Sequence, residues 1–394
     1  MNILFLTNEY KHPILGSSGG TGNFIANFSK ELLKKGHNVY VFGTGNKNFD
    51  FNDDGVSVHF ERNAFKKNKF YKLLDSVTRK QKPFKKYRLP LLKIERKHLA
   101  RDVYRYIKKN KLKIDIIECH DYNGNSLFLP KTIPYVIRCH GSFSVLATFG
   151  YQVIANINAL EKLAMQRAKN FISISKYSQK INELVFGIKK MKLIYNGINH
   201  LKFKKVDDVS IIAKSIFFVG NLSFEKGADV AIEVFKTIQL KYPESSLHFI
   251  GIETPYKIEF EKIVLQNHLS SKVHYHGFLQ TNEMLTVLSA AEIVIFPSKG
   301  ETFGLALCET MSLEKCCICS DLASYNEIII DKSNGFIAKT TSDYIEIITN
   351  VFDNPNLNNL VAQNARKTIV SDFNIDKMVT ESVAYYQEII NNNS

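Results

Sequence analysis

The stretch PSKGETFGLALCETM, residues 297–311, decides the fold because it joins an apolar strand to a helix. The preceding segment Ala291–Phe296 predicts a buried strand, and a helix is predicted to begin near Phe303 and Gly304. In a parallel α/β sheet, such a turn lies at the carboxyl edge, where ligands bind. Backbone N–H groups at the start of the helix are unpaired and carry partial positive charge, so they suit a phosphate group.

Two glutamates lie in this stretch. Glu301 is in the turn, and Glu309 is about a turn and a half into the predicted helix. Both carboxylates can therefore reach one ligand, and carboxylates are good acceptors for sugar hydroxyl groups. From this stretch alone, the alternative is an ordinary exposed loop with solvated glutamates.

The two glutamates are separated by seven residues, with Phe303, Gly304 and Leu305 between them. This spacing, after Phe-Pro-Ser and before a Cys-Ser-Asp strand end, resembles the signature of retaining nucleotide-sugar glycosyltransferases of the GT-B fold, family 4. The resemblance implies two Rossmann-like domains facing across a cleft, with a C-terminal helix crossing back to the first. We expect residues 1–200 with 373–394 to bind the acceptor, and residues 201–372 to bind the nucleotide sugar.

The chain of 394 residues is long enough for two domains, and alternating apolar runs and helical patterns predict parallel sheets. The polar stretch 200–214 is the predicted linker. No segment approaches 18 apolar residues, and residues 1–7 lack the features of a signal peptide, so a cytoplasmic location is expected. The run from Cys316 to Cys319 is interpreted as a buried strand rather than a metal site, because adjacent residues of a strand point to opposite faces.

The first predicted strand is followed by a glycine-rich loop over residues 17–22. Glycine lets a backbone approach a phosphate closely, although a loop with no ligand is the alternative. The family resemblance places Gly19 and Gly20 near the donor diphosphate.

Two histidines end apolar strands in the first half of the chain. His140 is followed by Gly-Ser and resembles the family histidine that lines the donor sugar, whereas His120 and Asp121 are candidates on the acceptor side. The alternative is that such a histidine has a structural role, with its hydrogen bonds made inside the protein.

In the second half, Gly220–Gly227 follows a predicted strand and resembles the family's Gly-Arg-Leu…Lys-Gly signature. Lys226 lies at the helix start, where its ammonium can meet a diphosphate. Asn221 replaces the usual arginine, which removes one permanent cation. Phe278 and Leu279 fall where family members hold the nucleobase.

The resemblance implies roles for these residues. Glu309 would hold the ribose and Glu301 the donor sugar, while Lys226, the backbone near Gly304 and the Gly20 loop would stabilise the leaving diphosphate. The catalytic candidates are thus Lys226, Glu301 and His140. The donor-site candidates are Gly19, Gly20, Asn221, Lys226, Phe278, Leu279, Glu301, Phe303, Gly304, Leu305 and Glu309. A UDP-sugar is expected ahead of a GDP-sugar, and no metal is expected because no suitable Asp-x-Asp motif is present.

The net charge of +14 is concentrated in residues 61–113, which contain 20 Lys and Arg against four Asp and Glu. Aromatic and aliphatic residues are interleaved with these cations, which favours an anionic membrane surface. A solvated helix is the alternative. RNA would also suit the charge, but no nucleic-acid motif is present, so no nucleic-acid partner is expected.

The family resemblance, taken together with the basic residues 61–113, implies a hexosyl- or N-acetylhexosaminyl-type transferase acting on a glycan or lipid-linked acceptor in bacterial surface polysaccharide synthesis, such as capsule, O-antigen or lipopolysaccharide. Its location would then be peripheral on the inner face of the cell membrane. A GT-B disaccharide synthase or phosphorylase acting on a soluble sugar is one alternative. A non-enzymatic basic protein that binds RNA or membrane is another.

Overall fold

The structure is a computed structural model that describes residues 1–16, 19–63, 68–80, 82–152 and 156–393. Ser17 and Ser18 of the predicted glycine-rich loop, and residues 64–67 and 81 of the basic block, lie outside these ranges. The chain divides into a first unit, residues 1–195 with 378–394, and a second unit, residues 196–377. The sequence predicted that the first domain ends at residue 200 and resumes at residue 373. The structure places these two boundaries a few residues away, at 195 and 378.

Among the described residues, eight strands form one sheet in the first unit, in the order β3-β4-β2-β1-β5-β6-β7-β8. These strands are β1 (Asn2–Thr7), β2 (Asn38–Gly45), β3 (Phe49–Asp53), β4 (Val56–Arg62), β5 (Ile116–His120), β6 (Tyr135–Cys139), β7 (Phe171–Ser173) and β8 (Lys192–Leu193). All neighbours are parallel except β3 and β4. The central strand β1 is buried from Ile3 to Leu6, because both faces of a parallel sheet are covered by helices.

The second unit contains a six-stranded parallel sheet in the order β11-β10-β9-β12-β13-β14. Its strands are β9 (Ser215–Val219), β10 (Ser246–Ile250), β11 (Val273–Gly277), β12 (Ile293–Phe296), β13 (Cys316–Ser320) and β14 (Phe336–Ala338). This is the doubly wound Rossmann order, in which the direction of winding reverses between β9 and β12. The four cysteines of this unit are buried in its core and reduced, in agreement with their interpretation as small hydrophobes.

The helices of the first unit are α1 (Gly20–Lys34), α2 (Lys69–Lys80), α3 (Arg88–Lys109), α4 (Phe143–Leu146), α5 (Ile157–Arg167) and α6 (Lys176–Phe186). Those that follow are α7 (Ala228–Lys241), α8 (Lys257–Gln266), α9 (Thr281–Ser289), α10 (Leu305–Ser312), α11 (Thr341–Asp353), α12 (Pro355–Asp372) and α13 (Ile375–Asn391). Short 3-10 helices span Pro13–Leu15, Lys82–Tyr87, Ala147–Phe149 and Tyr325–Glu327. Of the described helices, none is both long and apolar enough to cross a membrane.

The last helix, α13, completes the core of the first unit. Arg138 and Glu118, on neighbouring strands β6 and β5, form a fully buried ion pair with an Nε–Oε1 distance of 2.8 Å. Arg138 also donates to Ser382 Oγ at 2.9 Å, and the Tyr386 hydroxyl donates to Glu118. Since a buried ion pair needs further hydrogen bonds to offset its desolvation, α13 is part of the first unit's interior.

Candidate functional site

The second unit carries its candidate residues at the point where its strand order reverses. The loop 220–227 follows β9, and the loop 297–304 follows the adjacent strand β12. Both loops therefore leave the carboxyl edge of the sheet on either side of the switch point, where open α/β sheets bind ligands. The strand-to-helix turn predicted from the sequence lies at this edge, and α10 begins at Leu305.

Two backbone contacts hold these loops together. The Lys299 N–H donates to the Glu225 carbonyl oxygen at 2.9 Å. Gly227, in a left-handed conformation with φ +78°, packs against the carbonyl group of Pro297, where a Cβ atom would overlap it. Only glycine fits this position, because it combines positive φ with close backbone contact.

This packing brings together Lys226 and Glu301, which are far apart in the sequence. The Lys226 Nζ forms an ion pair with Glu301 Oε1, and the two side chains are 25% and 21% exposed. Their charged ends therefore sit at the rim of the sheet, within reach of solvent. A ligand carrying a diphosphate and a sugar would offer each of them a new partner, an anion for the ammonium and a hydroxyl for the carboxylate.

A second ion pair joins the loop after β12 to the first turn of α7. Lys299 Nζ lies 2.8 Å from Asp229 Oδ2 and also sits over the ring of Phe224. Neither Lys299 nor Asp229 was predicted as a site residue, since the two have no shared motif. Their positions show that the loop after β12 is tied to the loop after β9 both by backbone and by side chains.

Gly304 forms the N-cap of α10 with φ +114°, and a Cβ there would meet the ring of Tyr325 at 2.7 Å. Tyr325 is buried and donates to Ser298 Oγ at 3.3 Å, so it packs under the loop 297–304 and holds it in place. Burial, and then the charge of Glu301, raises the pKa of the Tyr325 phenol. Tyr325 was not predicted as a site residue.

Four more predicted donor residues lie on or beside these two loops of the second unit. Leu305 and Glu309 are half-buried on α10, and Phe303 is buried against the ring of Phe373 at 5.9 Å between centroids. Asn221 is exposed just beyond β9.

Two more predicted donor residues follow β11. Phe278 is 47% exposed and Leu279 is half-buried. The Gly251 N–H donates to the Gly277 carbonyl at 2.9 Å, and the Gly220 N–H donates to the Ile250 carbonyl at the same distance. The ends of β9, β10 and β11 are thus aligned, which leaves Phe278 on the carboxyl edge that also carries Asn221.

The first unit has its own switch point between β1 and β5. Gly19 and Gly20 lie at the start of α1, and both are exposed. The Gly19 N–H donates to the Glu9 carboxylate at 3.2 Å, so an acidic side chain caps this end of α1. Glu9 was not predicted as part of the site, and it faces the position proposed for an anion.

Asp121 follows β5 and is buried beside the end of β6. Its carboxylate accepts the N–H groups of His140 at 3.2 Å and Gly141 at 3.0 Å. Burial, followed by the charge of Glu161, raises its pKa to about 7 despite these hydrogen bonds. Asp121 therefore fixes the backbone at the end of β6, which is a positioning role for His140 that the sequence did not reveal.

The imidazoles of His120 and His140 are neighbours, with ring centroids 5.2 Å apart, and His140 also packs edge-on against Phe24 at 4.5 Å. Burial lowers the pKa of His120 to about 3 and that of His140 well below its ordinary value, with Arg138 contributing to both. Both rings are therefore neutral at physiological pH, so they can exchange hydrogen bonds with a ligand but supply no charge.

Glu161 on α5 organises the loop after His140. Its carboxylate accepts the N–H groups of Asn123 and Ser144 at 3.0 and 2.9 Å, and the Ser144 hydroxyl at 2.6 Å. Burial raises its pKa, against the effect of these hydrogen bonds. Within the described ranges, no group of three or more His, Cys, Asp or Glu side chains is arranged to hold a metal ion.

Comparison with known protein families shows which family has these residues at the carboxyl ends of its two sheets. The model described as "Glycosyl transferases group 1" matches residues 211–368, and the model described as "Glycosyltransferase Family 4" matches residues 18–200. The chain belongs to glycosyltransferase family 4. The resemblance read from the two glutamates is therefore confirmed, and it spans both units.

Relatives of this family 4 enzyme share its sequence only distantly. An uncharacterised glycosyltransferase from Methanocaldococcus jannaschii is 25% identical over 70% of this chain and 75% of its own length. The alpha-D-kanosaminyltransferase of Streptomyces kanamyceticus is 22% identical over 44% of this chain and 45% of its own.

Solved structures match the whole chain. Sucrose-phosphate synthase from Thermosynechococcus elongatus has a TM-score of 0.78 at 17% identity, covering 99% of both chains. HepE from Anabaena, solved with UDP and glucose, has a TM-score of 0.72 at 17% identity, covering 98% of this chain and 99% of that chain. At such identities the likeness shows the fold, which is GT-B as predicted.

Proposed function

We propose that this glycosyltransferase moves a sugar from a nucleotide-sugar donor to an acceptor hydroxyl with retention at the anomeric carbon. The observation that carries this proposal is the pairing of Lys226 with Glu301 at the switch point of the second unit. An ammonium and a carboxylate held side by side there match the two chemically different halves of a nucleotide sugar.

In the proposed reaction, the bond between the anomeric carbon and the diphosphate oxygen breaks, and a bond to the acceptor oxygen forms on the same face. Negative charge develops on the leaving diphosphate, which Lys226 and the N–H groups at the start of α10 stabilise. The acceptor proton passes to the leaving phosphate. Glu301 binds the sugar hydroxyls, and Glu309 holds the ribose.

The first unit contributes neutral groups to this reaction. His140 donates or accepts a hydrogen bond at the donor sugar, Gly19 and Gly20 approach the diphosphate, and His120 and Asp121 belong to the acceptor side. Because Asp121 is committed to two backbone N–H groups, its part is to hold the end of β6 in place.

The proposed donor is a UDP-sugar, with a hexose or an N-acetylhexosamine as the transferred group. HepE, which shares the fold, has been solved with UDP and with UDP-glucose, which supports this choice over a GDP-sugar. We propose that transfer needs no metal ion, because Lys226 provides the cation that the leaving diphosphate requires.

The proposed acceptor is a glycan or lipid-linked glycan of a surface polysaccharide, reached at the inner face of the cell membrane from the cytoplasm. On α2, Phe70 and Leu73 are 63% and 61% exposed and lie one turn apart among lysines. Phe84 and Tyr87 are also exposed, next to Lys85 and Lys86. Exposed aromatic and aliphatic side chains among cations favour an anionic bilayer over a soluble sugar acceptor.

The experiment that tests the donor site is a thermal-shift screen with UDP, GDP, ADP, TDP and CMP on the wild type, Lys226→Ala and Glu309→Ala. A ligand at a hundred times its dissociation constant stabilises the native state by about 2.7 kcal/mol. We expect a shift with UDP that both variants lose, while the exposed Lys189→Ala control keeps it. A shift that survives in both variants would place the nucleotide elsewhere.

A further inference from the structure

A separate cavity lies at the opposite edge of the first sheet. Its volume is about 150 Å³, and its lining includes Lys131, Ile133, Tyr135, Arg167, Lys169 and Asn170. Tyr135 begins β6 and Asn170 directly precedes β7, so the cavity lies at the amino ends of these strands. His140 follows the other end of β6, five residues of about 3.3 Å each away. The cavity is therefore distinct from the candidate transferase site.

The cavity has a strong positive charge. Lys131, Arg167 and Lys169 contribute three cations, and no Asp or Glu belongs to the lining. In the part of the chain that the structure describes, none of the three forms an ion pair. Three uncompensated cations around one concavity create a potential that attracts an anion.

The other lining residues are largely apolar. They include Leu129, Ile133 and Pro134, which form the apolar wall of the cavity. The Asn170 side chain donates to the Tyr135 carbonyl at 3.1 Å, which joins the start of β6 to the segment before β7. Burial raises the pKa of Tyr135 to about 12, with Arg167 acting in the opposite direction, so the phenol keeps its proton. The cavity thus offers a neutral hydroxyl and apolar surface beside its three cations.

We propose that this cavity binds a small phosphate ester, with the phosphate group on Arg167, Lys169 and Lys131 and the carbon part on the apolar wall. A guanidinium fork pairs with two phosphate oxygens at once, and two flanking ammonium groups complete the charge of a dianion. The volume is below the roughly 300–1,000 Å³ of pockets for drug-sized ligands, so the ligand is small.

Isothermal titration with phenyl phosphate and with inorganic phosphate, at constant ionic strength, tests this proposal. The site variant is Arg167→Gln/Lys169→Gln. The matched control is Lys189→Gln/Lys190→Gln, which removes the same charge from an exposed segment of the same unit. Lys226→Met separates this cavity from the donor site, where phosphates are also expected to bind.

We expect phenyl phosphate to bind more tightly than inorganic phosphate, because only the ester reaches the apolar wall. Its dissociation constant should rise at least tenfold in the Arg167/Lys169 variant and stay within about twofold of wild type in the lysine control and in Lys226→Met, since each lost charged hydrogen bond weakens binding by roughly a factor of ten. UDP binding should be unchanged in the Arg167/Lys169 variant, which also shows that the variant is folded.

Equal weakening of phenyl phosphate binding in both double variants would overturn the proposal, because the net charge of the protein rather than this cavity would then determine binding. Loss of phenyl phosphate binding in Lys226→Met alone would overturn it too. Sedimentation with anionic vesicles identifies the source of the phosphate. Weaker sedimentation of the Arg167/Lys169 variant than of the lysine control would identify a lipid headgroup, and equal sedimentation would identify a soluble ester.

Discussion

Gly227 packs directly against the main chain of Pro297, with no room for a Cβ atom between them. This contact sets the separation of the loops that carry Lys226 and Glu301. The ion pair between those side chains depends on it, because a displaced loop would move the ammonium away from the carboxylate.

Gly227→Ala should therefore destabilise the second unit. The left-handed conformation costs an alanine about 1–2 kcal/mol, and overpacking against Pro297 adds about 1–3 kcal/mol. Gly277→Ala is the matched control, since Gly277 also has positive φ but has open space around its Cβ position. Urea unfolding should show a clearly larger loss for Gly227→Ala; equal losses would mean that the Pro297 contact relaxes freely.

Lys226→Met should lower kcat about 10²–10³-fold, because removing one preorganised group that stabilises developing charge has an effect of that size. Lys299→Met removes a neighbouring cation that pairs with Asp229 instead. Steady-state kinetics of sugar transfer should show a much smaller effect for Lys299→Met. A comparable loss in both variants would show that the local field, rather than Lys226 itself, stabilises the leaving group.

Removal of divalent metal ions should leave transfer unchanged, since the proposed site supplies its cation as Lys226. The measurement is the initial rate after exhaustive treatment with EDTA, compared with the rate after Mg²⁺ or Mn²⁺ is restored. A tenfold fall on chelation that either ion reverses would contradict a metal-independent reaction.

Asp121 and His120 should give opposite pH dependences of stability. With its pKa raised to about 7, the native Asp121 keeps a proton that the unfolded state has lost above about pH 4, so stability falls as pH rises through this window. With its pKa lowered to about 3, the native His120 lacks a proton that the unfolded state binds below about pH 6.5, so stability rises with pH.

Asp121→Asn should consequently make the slope of the unfolding free energy against pH more positive between pH 4.5 and 6.5, by up to about 1.4 kcal/mol per pH unit. His120→Asn should make the slope more negative. Urea titrations at three pH values measure both slopes. Asp207→Asn, at an exposed position, should keep the wild-type slope. Slopes that shift in the same direction in both variants would contradict the assigned protonation states.

Phe70→Ser/Leu73→Ser should weaken binding to anionic vesicles at least tenfold. Fully burying such side chains stabilises by about 1.5–3 kcal/mol each. Leu184→Ser/Leu240→Ser is the control, because these leucines are 78% and 81% exposed on other surfaces. Vesicle sedimentation should separate the two double variants. Equal binding by both would leave only the cations of residues 61–113 to attract the membrane.

The sequence was sufficient where local pattern determines structure. Strand β12 ends at Phe296 as predicted, and α10 begins at Leu305, next to the predicted Phe303 and Gly304, because an apolar run that stops at a proline leaves little choice. Strand β3, Phe49–Asp53, was not predicted, since Asp and Asn are poor strand formers and its antiparallel pairing with β4 provides the stability. Helix α1 begins at Gly20, inside the glycine-rich loop predicted over residues 17–22, because tertiary packing overrides the low helix propensity of glycine.

The candidate site was predictable as a set of residues but not as a set of contacts. Motif spacing singled out Lys226 and Glu301, yet nothing in the sequence pairs residues so far apart. Tyr325 and Glu161 were missed because a single buried tyrosine or glutamate has no distinctive sequence pattern. Their roles depend on the strand order, which brings distant loops to one edge.

The buried pair of Arg138 and Glu118 has a consequence for synthesis of the chain. Their hydrogen-bond partners Ser382 and Tyr386 are translated only after the whole of residues 196–377. The second unit is continuous and can fold as soon as it leaves the ribosome, whereas the first must wait for the hydrogen bonds that α13 supplies to its buried ion pair. The domain made first is therefore the one completed last.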